Sequence, residues 1–180
     1  MDAQTCILTR RSVRKFTDEP VSHELLEKVV ALAAYAPSWK NTQISRYLAI
    51  EDPEVRNTIA EEYCLPGANN PNIIKGAPLL VAQTFVKSRC GYERDGTFTT
   101  DREDGWQYYD CGIAAQTFCL AAHDLGLATV IMGVFDRKKL QEFLQIPEDQ
   151  ELMALIALGH PADEPTAPKR KELDVLLSYR

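Results

Sequence analysis

Apolar residues recur at helical spacing in several stretches of the chain. The longest stretch runs from Trp106 to Leu125 and is apolar on nearly every side, which predicts a buried helix about 30 Å long that stops at Gly126. A second stretch follows Ser22, a good helix cap, and reaches about Tyr35. Capping residues predict three shorter helices, at residues 2–10, 52–63 and 136–144.

Short apolar runs between these helices predict about four strands. They lie at residues 46–50, 79–86, 127–132 and 152–158. The run at 79–86 is almost continuously apolar, which is typical of a strand buried on both faces.

In the first helix, Ile7 and Leu8 are expected to face the core. Residues 88–105 are polar and irregular. This mixture of elements predicts one α+β domain over residues 1–180.

Composition narrows the classes of function. Of the 180 residues, 45% are hydrophobic and 26% charged, with a net charge of −6. This acidic balance argues against a nucleic-acid-binding protein. The five cysteines have no C-x-x-C spacing and the three histidines are scattered, so no metal site is expected. With no signal peptide or membrane-spanning run in the sequence, we expect a reducing, cytoplasmic location.

A basic cluster near the start stands out against this acidic background. Residues 10–16 read Arg-Arg-Ser-Val-Arg-Lys-Phe. If the segment is helical or just leaving a helix, Arg10 and Arg14 share one face, and Ser12 adds a hydroxyl donor. Guanidinium groups with a hydroxyl suit a phosphate monoester. The alternative is a solvated basic helix end, where cations interact favourably with the helix dipole.

Other short motifs follow this cluster in a fixed order. They are Ala36-Pro37-Ser38 with Asn41 and Gln43, Gly76-Ala77-Pro78, Asp110 to Gln116, Leu125-Gly126-Leu127, Met132-Gly133, Gly159-His160-Pro161 and Pro168 to Lys171. Together, and across nearly the whole chain, they resemble the FMN-dependent nitroreductase family. The resemblance implies a central mixed or antiparallel sheet of four to five strands flanked by helices. It also implies a homodimer with FMN at the interface.

The resemblance further implies which residues contact FMN. A basic stretch would hold the phosphate and ribityl chain, and its matching residues are Arg10, Arg11, Ser12 and Arg14. A loop would reach the flavin from the other subunit, through Pro37, Ser38 and Asn41. A turn after a strand would pass the edge of the central ring, at Ile131, Met132 and Gly133. A cation pair near the end of the chain would complete the contacts, at Lys169 and Lys171.

The activity implied is electron transfer from NAD(P)H to a nitroaromatic, quinone or similar flat conjugated acceptor in a ping-pong cycle. Because the flavin carries the electron chemistry, no side chain is named as catalytic. The alternatives are another flavin chemistry on the same fold, such as reductive dehalogenation or an oxygen-dependent reaction, or a non-catalytic flavin-binding dimer. Ile44-Ser45 replaces the Pro-Trp pair common in the family, and the chain is short for it. These departures bear on acceptor and nicotinamide preference.

The irregular segment 88–105 has an expected role in acceptor choice. Long irregular segments within compact domains are often lids or binding loops. We expect this segment to cover the open face of the flavin, with Phe98 or Trp106 stacking on flat substrates.

Overall fold

Four antiparallel strands form a single sheet in the computed structural model, which describes all 180 residues. The strands are β1 (Ser45–Ile50), β2 (Leu79–Val86), β3 (Ala128–Met132) and β4 (Gln150–Gly159). Their order across the sheet is β1-β2-β4-β3, which makes β1 and β3 the two edge strands. The α+β fold with an antiparallel sheet is therefore confirmed, with four strands.

Seven helices surround the sheet. They are α1 (Ala3–Thr9), α2 (His23–Ala33), α3 (Pro53–Thr58), α4 (Asn70–Lys75), α5 (Gly105–Asp124), α6 (Arg137–Phe143) and α7 (Leu173–Leu176). The predicted caps are confirmed, since Asp2, Ser22, Asp52 and Asp136 each accept a backbone N–H from the first turn of their helix. The helix opened by Asp52 is shorter than predicted, because residues 59–63 form a π turn.

The expected orientation of α1 is wrong. Ile7 and Leu8 are 61% and 62% exposed, whereas Cys6 is buried. The Cys6 thiol donates to the carbonyl oxygen of Leu120 in α5 at 3.4 Å, so the Cys6 side of the helix faces the core. A helix of seven residues buries only a narrow stripe, and two adjacent apolar residues of α1 remain on the surface.

Helices cover both faces of the sheet. Leu80 and Val81 are neighbours on β2 and point to opposite faces, as strand geometry requires. Leu80 packs in a cluster with Leu140 of α6 and residues of α4, while Val81 packs with Phe118 of α5 and residues of α2. The strand at 79–86 is therefore buried on both faces, as predicted.

The central helix α5 is mostly buried but keeps one uncovered stripe. Tyr109, Gly112 and Gln116 are exposed at intervals of three and four residues, which places them along one side of the helix. After α5 the chain turns sharply at Gly126, whose φ of 82° lies in the left-handed region. Leu127 then donates its N–H to the Ala122 carbonyl oxygen at 2.8 Å and leads into β3.

The core position of β4 gives a stability prediction. Leu155 is fully buried at the centre of the sheet, whereas Leu65 is 46% exposed in a loop. Leu155→Ala should lower the free energy of unfolding by about 2–5 kcal/mol, because it removes apolar contacts and leaves a cavity. Leu65→Ala, the control, should change it by less than about 0.5 kcal/mol. Chemical denaturation at one fixed protein concentration measures both, and equal effects would contradict the packing described here.

Candidate functional site

The basic cluster leaves the end of α1 and is extended, so Arg10 and Arg14 do not share a helix face. Helix α1 ends at Thr9, and Ser12 forms a parallel bridge with Thr129 of β3. Val13 donates its N–H to the Thr129 carbonyl oxygen at 3.1 Å, and its side chain is buried. Alternate residues of an extended segment share a side. Arg10, Ser12 and Arg14 therefore lie together on the side opposite Val13, beside the edge of the sheet.

The side chains of this cluster differ in how far they are already engaged. None of Arg10, Arg11 and Arg14 forms a salt bridge. Arg11 donates to the carbonyl oxygens of Leu8 and Arg10 at 2.7 and 2.8 Å and so closes the end of α1. Arg14 donates one bond, to the Ser12 carbonyl oxygen at 3.0 Å.

The two interpretations of the basic cluster, a phosphate site and a basic helix end, thus apply to different residues. Arg11 is the basic helix end, stabilised by the last carbonyls of α1. Arg10 and Arg14 keep charged donors that no carboxylate neutralises, next to the Ser12 hydroxyl. An unneutralised pair of guanidinium groups beside a hydroxyl has the donor chemistry of a phosphate site.

The end of β3 lies next to this cluster. Ile131 follows Thr129 by two residues on the same side of the strand and is 45% exposed, while Met132 is buried. Gly133 is exposed, a Cβ placed on it would meet open space, and its N–H makes none of the loop hydrogen bonds. Ile131 therefore offers an apolar surface and Gly133 a free backbone donor at the same edge of the sheet, while the Met132 side chain packs in the core.

A cavity of about 570 Å³ opens beside the cluster. Arg10 and Arg11 line it together with His123, whose Nε2 lies 2.8 Å from the Thr9 hydroxyl. Residues 161–167 form its far wall. The chain after β4 therefore passes close to the basic cluster.

The structure does not bring the two tail lysines into this group. Lys169 and Lys171 line a separate, open depression with Arg170, Glu172 and Val175. Lys169 pairs with Glu172 at 3.2 Å, and every residue from 166 onward is exposed. The predicted flavin contacts of Lys169 and Lys171 stay a prediction.

The 37–43 loop holds the next group of expected contacts, Pro37, Ser38 and Asn41. It contains a 3₁₀ turn from Trp39 to Asn41, and Lys40, Asn41 and Gln43 all have positive φ, at 44°, 57° and 48°. Non-glycine residues in this region cost about 1–3 kcal/mol each and cluster at functional sites. The loop is therefore a strained segment that its surroundings must hold in place.

Side-chain hydrogen bonds and a ring contact help to hold the 37–43 loop. The Ser38 hydroxyl accepts the Gln43 N–H at 3.1 Å, and the Asp110 carboxyl accepts the Trp39 N–H at 2.9 Å. The Trp39 ring packs against Trp106 with centroids 4.8 Å apart. Asp110 is therefore a structural hydrogen-bond acceptor for this loop.

The basic cluster and the 37–43 loop lie at diagonally opposite corners of the sheet. The cluster pairs with Thr129 on edge strand β3, whereas the loop leads into Ser45 on edge strand β1. Three strand spacings of about 4.8 Å separate the edges by about 14 Å. The register places Thr129 level with Leu79 and Ser45 level with Phe85, six residues further along β2, or about 20 Å. One chain therefore keeps these two groups apart.

The irregular segment 88–105, hereafter the covering loop, is attached to the 37–43 loop. Glu93 pairs with Lys40 at 3.1 Å. The Trp106 indole N–H donates to the Thr100 hydroxyl at 2.8 Å while its ring contacts Trp39. Trp106 is thus engaged within the chain. Phe98 packs against Tyr92 with ring centroids 4.9 Å apart but is 46% exposed, so part of its ring stays accessible.

Two buried polar residues of α5 anchor these loops, and sequence reasoning gave them no place in the site. Gln107 accepts the Ser88 N–H at 2.7 Å, at the start of the covering loop. Asp110 accepts the Trp39 N–H and also the Cys90 thiol, at 3.1 Å. The available signal was the presence of two polar residues one turn apart in a mostly apolar helix.

The cysteines near these anchors are held as thiols. Burial raises the pKa of Cys111 to about 12. Burial, followed by the hydrogen bond to Asp110, raises the pKa of Cys90 as well. At neutral pH neither is a thiolate nucleophile. No helix of the chain is both long enough and apolar enough to cross a membrane.

Comparison with known proteins identifies the family of this chain. The model of the Nitroreductase family matches residues 7–65 and 66–160. A protein of Archaeoglobus fulgidus, named provisionally an NADH dehydrogenase/NAD(P)H nitroreductase, is 33% identical over 162 residues, which cover 88% of this chain and 84% of the relative. The FMN reductase [NAD(P)H] of Bacillus subtilis is 32% identical over 162 residues, covering 85% of this chain and 63% of that protein.

Solved structures agree with these sequence relatives. A nitroreductase-type protein of Desulfovibrio desulfuricans, crystallised in complex with FMN, superposes with a TM-score of 0.79 at 28% identity and covers 100% of this chain and 98% of its own. The family model spans most of the chain and includes the basic cluster, the 37–43 loop and the end of β3. The chain belongs to the nitroreductase family.

Proposed function

We propose that the protein is an FMN-dependent oxidoreductase that passes electrons from NAD(P)H to a nitroaromatic, quinone or similar flat conjugated acceptor. The observation that carries the proposal is the group formed by Arg10, Ser12 and Arg14 beside the open backbone of Gly133. The relatives named for FMN and NAD(P)H support the cofactor and the electron donor. The ping-pong order and the acceptor class are part of the proposal.

The residues present fit FMN in their donor chemistry. Arg10 and Arg14 would hold the phosphate, and Ser12 would donate to the phosphate or the ribityl chain. The Gly133 N–H would face the central ring, because nothing fills the space where a side chain would stand. Ile131 would lie against the ring system. Bound FMN would supply the hydride and electron chemistry, so the side chains bind, orient and exclude water.

The site requires two copies of the chain. Since the basic cluster and the 37–43 loop lie at opposite corners of one sheet, both can touch one flavin only across a homodimer interface. The uncovered apolar surface supports this assembly: Ile7, Leu8, Ile131 and the stripe of α5 at Tyr109 are exposed in a single chain. Pro37, Ser38 and Asn41 would then reach the flavin held by the partner.

The covering loop would travel with the 37–43 loop. Because Glu93 and Trp106 tie it to Lys40 and Trp39, a 37–43 loop that reaches the partner's flavin brings the covering loop there too. Phe98 would be the ring that stacks on a flat acceptor. The five cysteines, all free, are compatible with the cytoplasm, where we place the protein.

The phosphate role of Arg14 gives a binding prediction. Arg14→Ala should weaken FMN binding by about 10-fold or more, because a hydrogen bond to a charged group contributes roughly 1.5–3 kcal/mol. Lys15→Ala is the matched control, since Lys15 is the adjacent exposed cation on the other side of the extended segment. Flavin fluorescence quenching measures both affinities. Equal FMN affinity of wild type and Arg14→Ala would contradict the proposal that Arg14 holds the FMN phosphate.

The same sample separates an enzyme from a binding protein. Under the proposal, NAD(P)H added without oxygen should bleach the flavin absorption of the wild type. A flavin that stays yellow would favour the non-catalytic alternative.

The covering loop gives a specificity prediction. Replacing residues 91–104 by a short Gly/Ser linker should leave FMN affinity and flavin reduction nearly intact. It should change kcat/KM by different factors for different nitroaromatic and quinone acceptors, since the lost contacts are acceptor-specific. Phe98→Ala should reproduce part of that pattern, whereas Tyr179→Ala, an exposed aromatic in the tail, should not. Unchanged values for every acceptor would show that the loop takes no part in selecting them.

A further inference from the structure

The carboxyl group of Asp110 occupies an unusual place for an acidic side chain. It is 5% exposed on the inner side of α5 and forms no salt bridge. One of its oxygens, Oδ2, accepts both the Trp39 N–H and the Cys90 thiol. Burying a carboxyl group is unfavourable unless hydrogen bonds compensate it. The two donors it meets belong to the two loops of the candidate site.

The bond to Trp39 acts at the point where the 37–43 loop becomes strained. Trp39 begins the 3₁₀ turn, and the next two residues, Lys40 and Asn41, have left-handed backbones. Ser38 closes the other end of the loop through Gln43. Strained backbone persists only where the surroundings over-determine it. Without Asp110 the Trp39 N–H, at the start of the turn, would lose its hydrogen-bond acceptor.

The bond to Cys90 gives the covering loop the same anchor. Cys90 is fully buried two residues after Ser88, where the covering loop begins. Its thiol donates to the oxygen that also accepts from Trp39, so the two loops meet at a single atom. A shift of Asp110 would therefore move both loops.

We propose that Asp110 is a positioning residue for the flavin site. Its carboxyl oxygen fixes the strained 37–43 loop so that Ser38 and Asn41 are presented to the flavin of the partner subunit. The proposal rests on the function proposed above but concerns a residue that need not touch flavin. It predicts that the conformation of the 37–43 loop, and not only the stability of the fold, depends on a hydrogen-bond acceptor at position 110.

Three variants of α5 separate these effects. Asp110→Leu keeps a similar volume and removes the acceptor, while Asp110→Asn keeps a carbonyl oxygen that can receive both donors. Gln107→Leu is the matched control, because Gln107 is a buried polar residue one turn earlier that accepts a backbone N–H from the covering loop alone. Asp110→Ser, whose hydroxyl lies farther from the Trp39 amide, is measured in the same way if Asp110→Leu does not yield folded protein.

Two readouts are taken on full-length protein. Amide hydrogen exchange of residues 39–43 is followed without flavin, and FMN affinity is measured by fluorescence quenching. We expect Asp110→Leu to speed exchange of the Trp39 amide and to weaken FMN binding, each by about 10-fold or more, as the loss of one such bond implies. Asp110→Asn should restore both to within about threefold of wild type, and Gln107→Leu should leave FMN affinity within that range.

The outcomes are distinct from a failure of the proposed function. If wild type binds no FMN, the function is wrong, but the exchange experiment still tests Asp110. If Asp110→Leu has the same exchange rates at residues 39–43 and the same FMN affinity as Gln107→Leu, Asp110 does not position the loop and the inference is overturned. The inference is equally overturned if Asp110→Asn behaves like Asp110→Leu, because then the acceptor oxygen is not what matters.

Discussion

The separation between two corners of the sheet is the constraint on which the rest of the site depends. Edge strand β3 carries the basic segment at Thr129, and edge strand β1 begins beside the 37–43 loop. Hydrogen-bonded strands cannot approach more closely than about 4.8 Å, so four of them hold the two groups apart whatever the side chains do. A ligand that uses both groups must lie between two chains. In the proposed homodimer, the apolar residues left on the surface of α1 and α5 would be available to the interface.

A second constraint is the backbone of the 37–43 loop. Left-handed conformations at Lys40, Asn41 and Gln43 are unfavourable for residues with a Cβ, and they need support from outside the loop. That support comes from α5, through Asp110, and from the Trp39–Trp106 contact. The longest helix of the fold therefore fixes this strained segment. Rigid elements that position strained loops are a common way to build a precise binding site.

Much of the fold could be predicted because strong local signals agreed with the packing. Ser22 and Asp136 cap their helices, and the continuous apolar run of β2 is buried on both faces, as expected. The predictions failed where tertiary contacts, rather than local sequence, determine the conformation or orientation of a segment. Helical spacing could not show that Ile7 and Leu8 face outward, since a short helix can turn either side to the core. Spacing left open whether the basic cluster is helical or just leaving a helix. Pairing with Thr129, a contact between residues far apart in sequence, makes it extended. For the same reason the partners of Asp110 could not be found from spacing.

The most direct test of the account asks whether one flavin site is built from two chains. Arg14→Glu should damage the basic cluster and Asn41→Ala the 37–43 loop, and FMN is set at a concentration where neither variant alone retains it. When the two variants are unfolded together and allowed to re-form dimers at random, about half of the dimers are mixed, and each mixed dimer has one site with both parts intact. If each flavin site is built from two chains, FMN should bind to about a quarter of the wild-type number of sites. A mixture that binds no more FMN than the separate variants, although mixed dimers are present, would show that each site is built within a single chain.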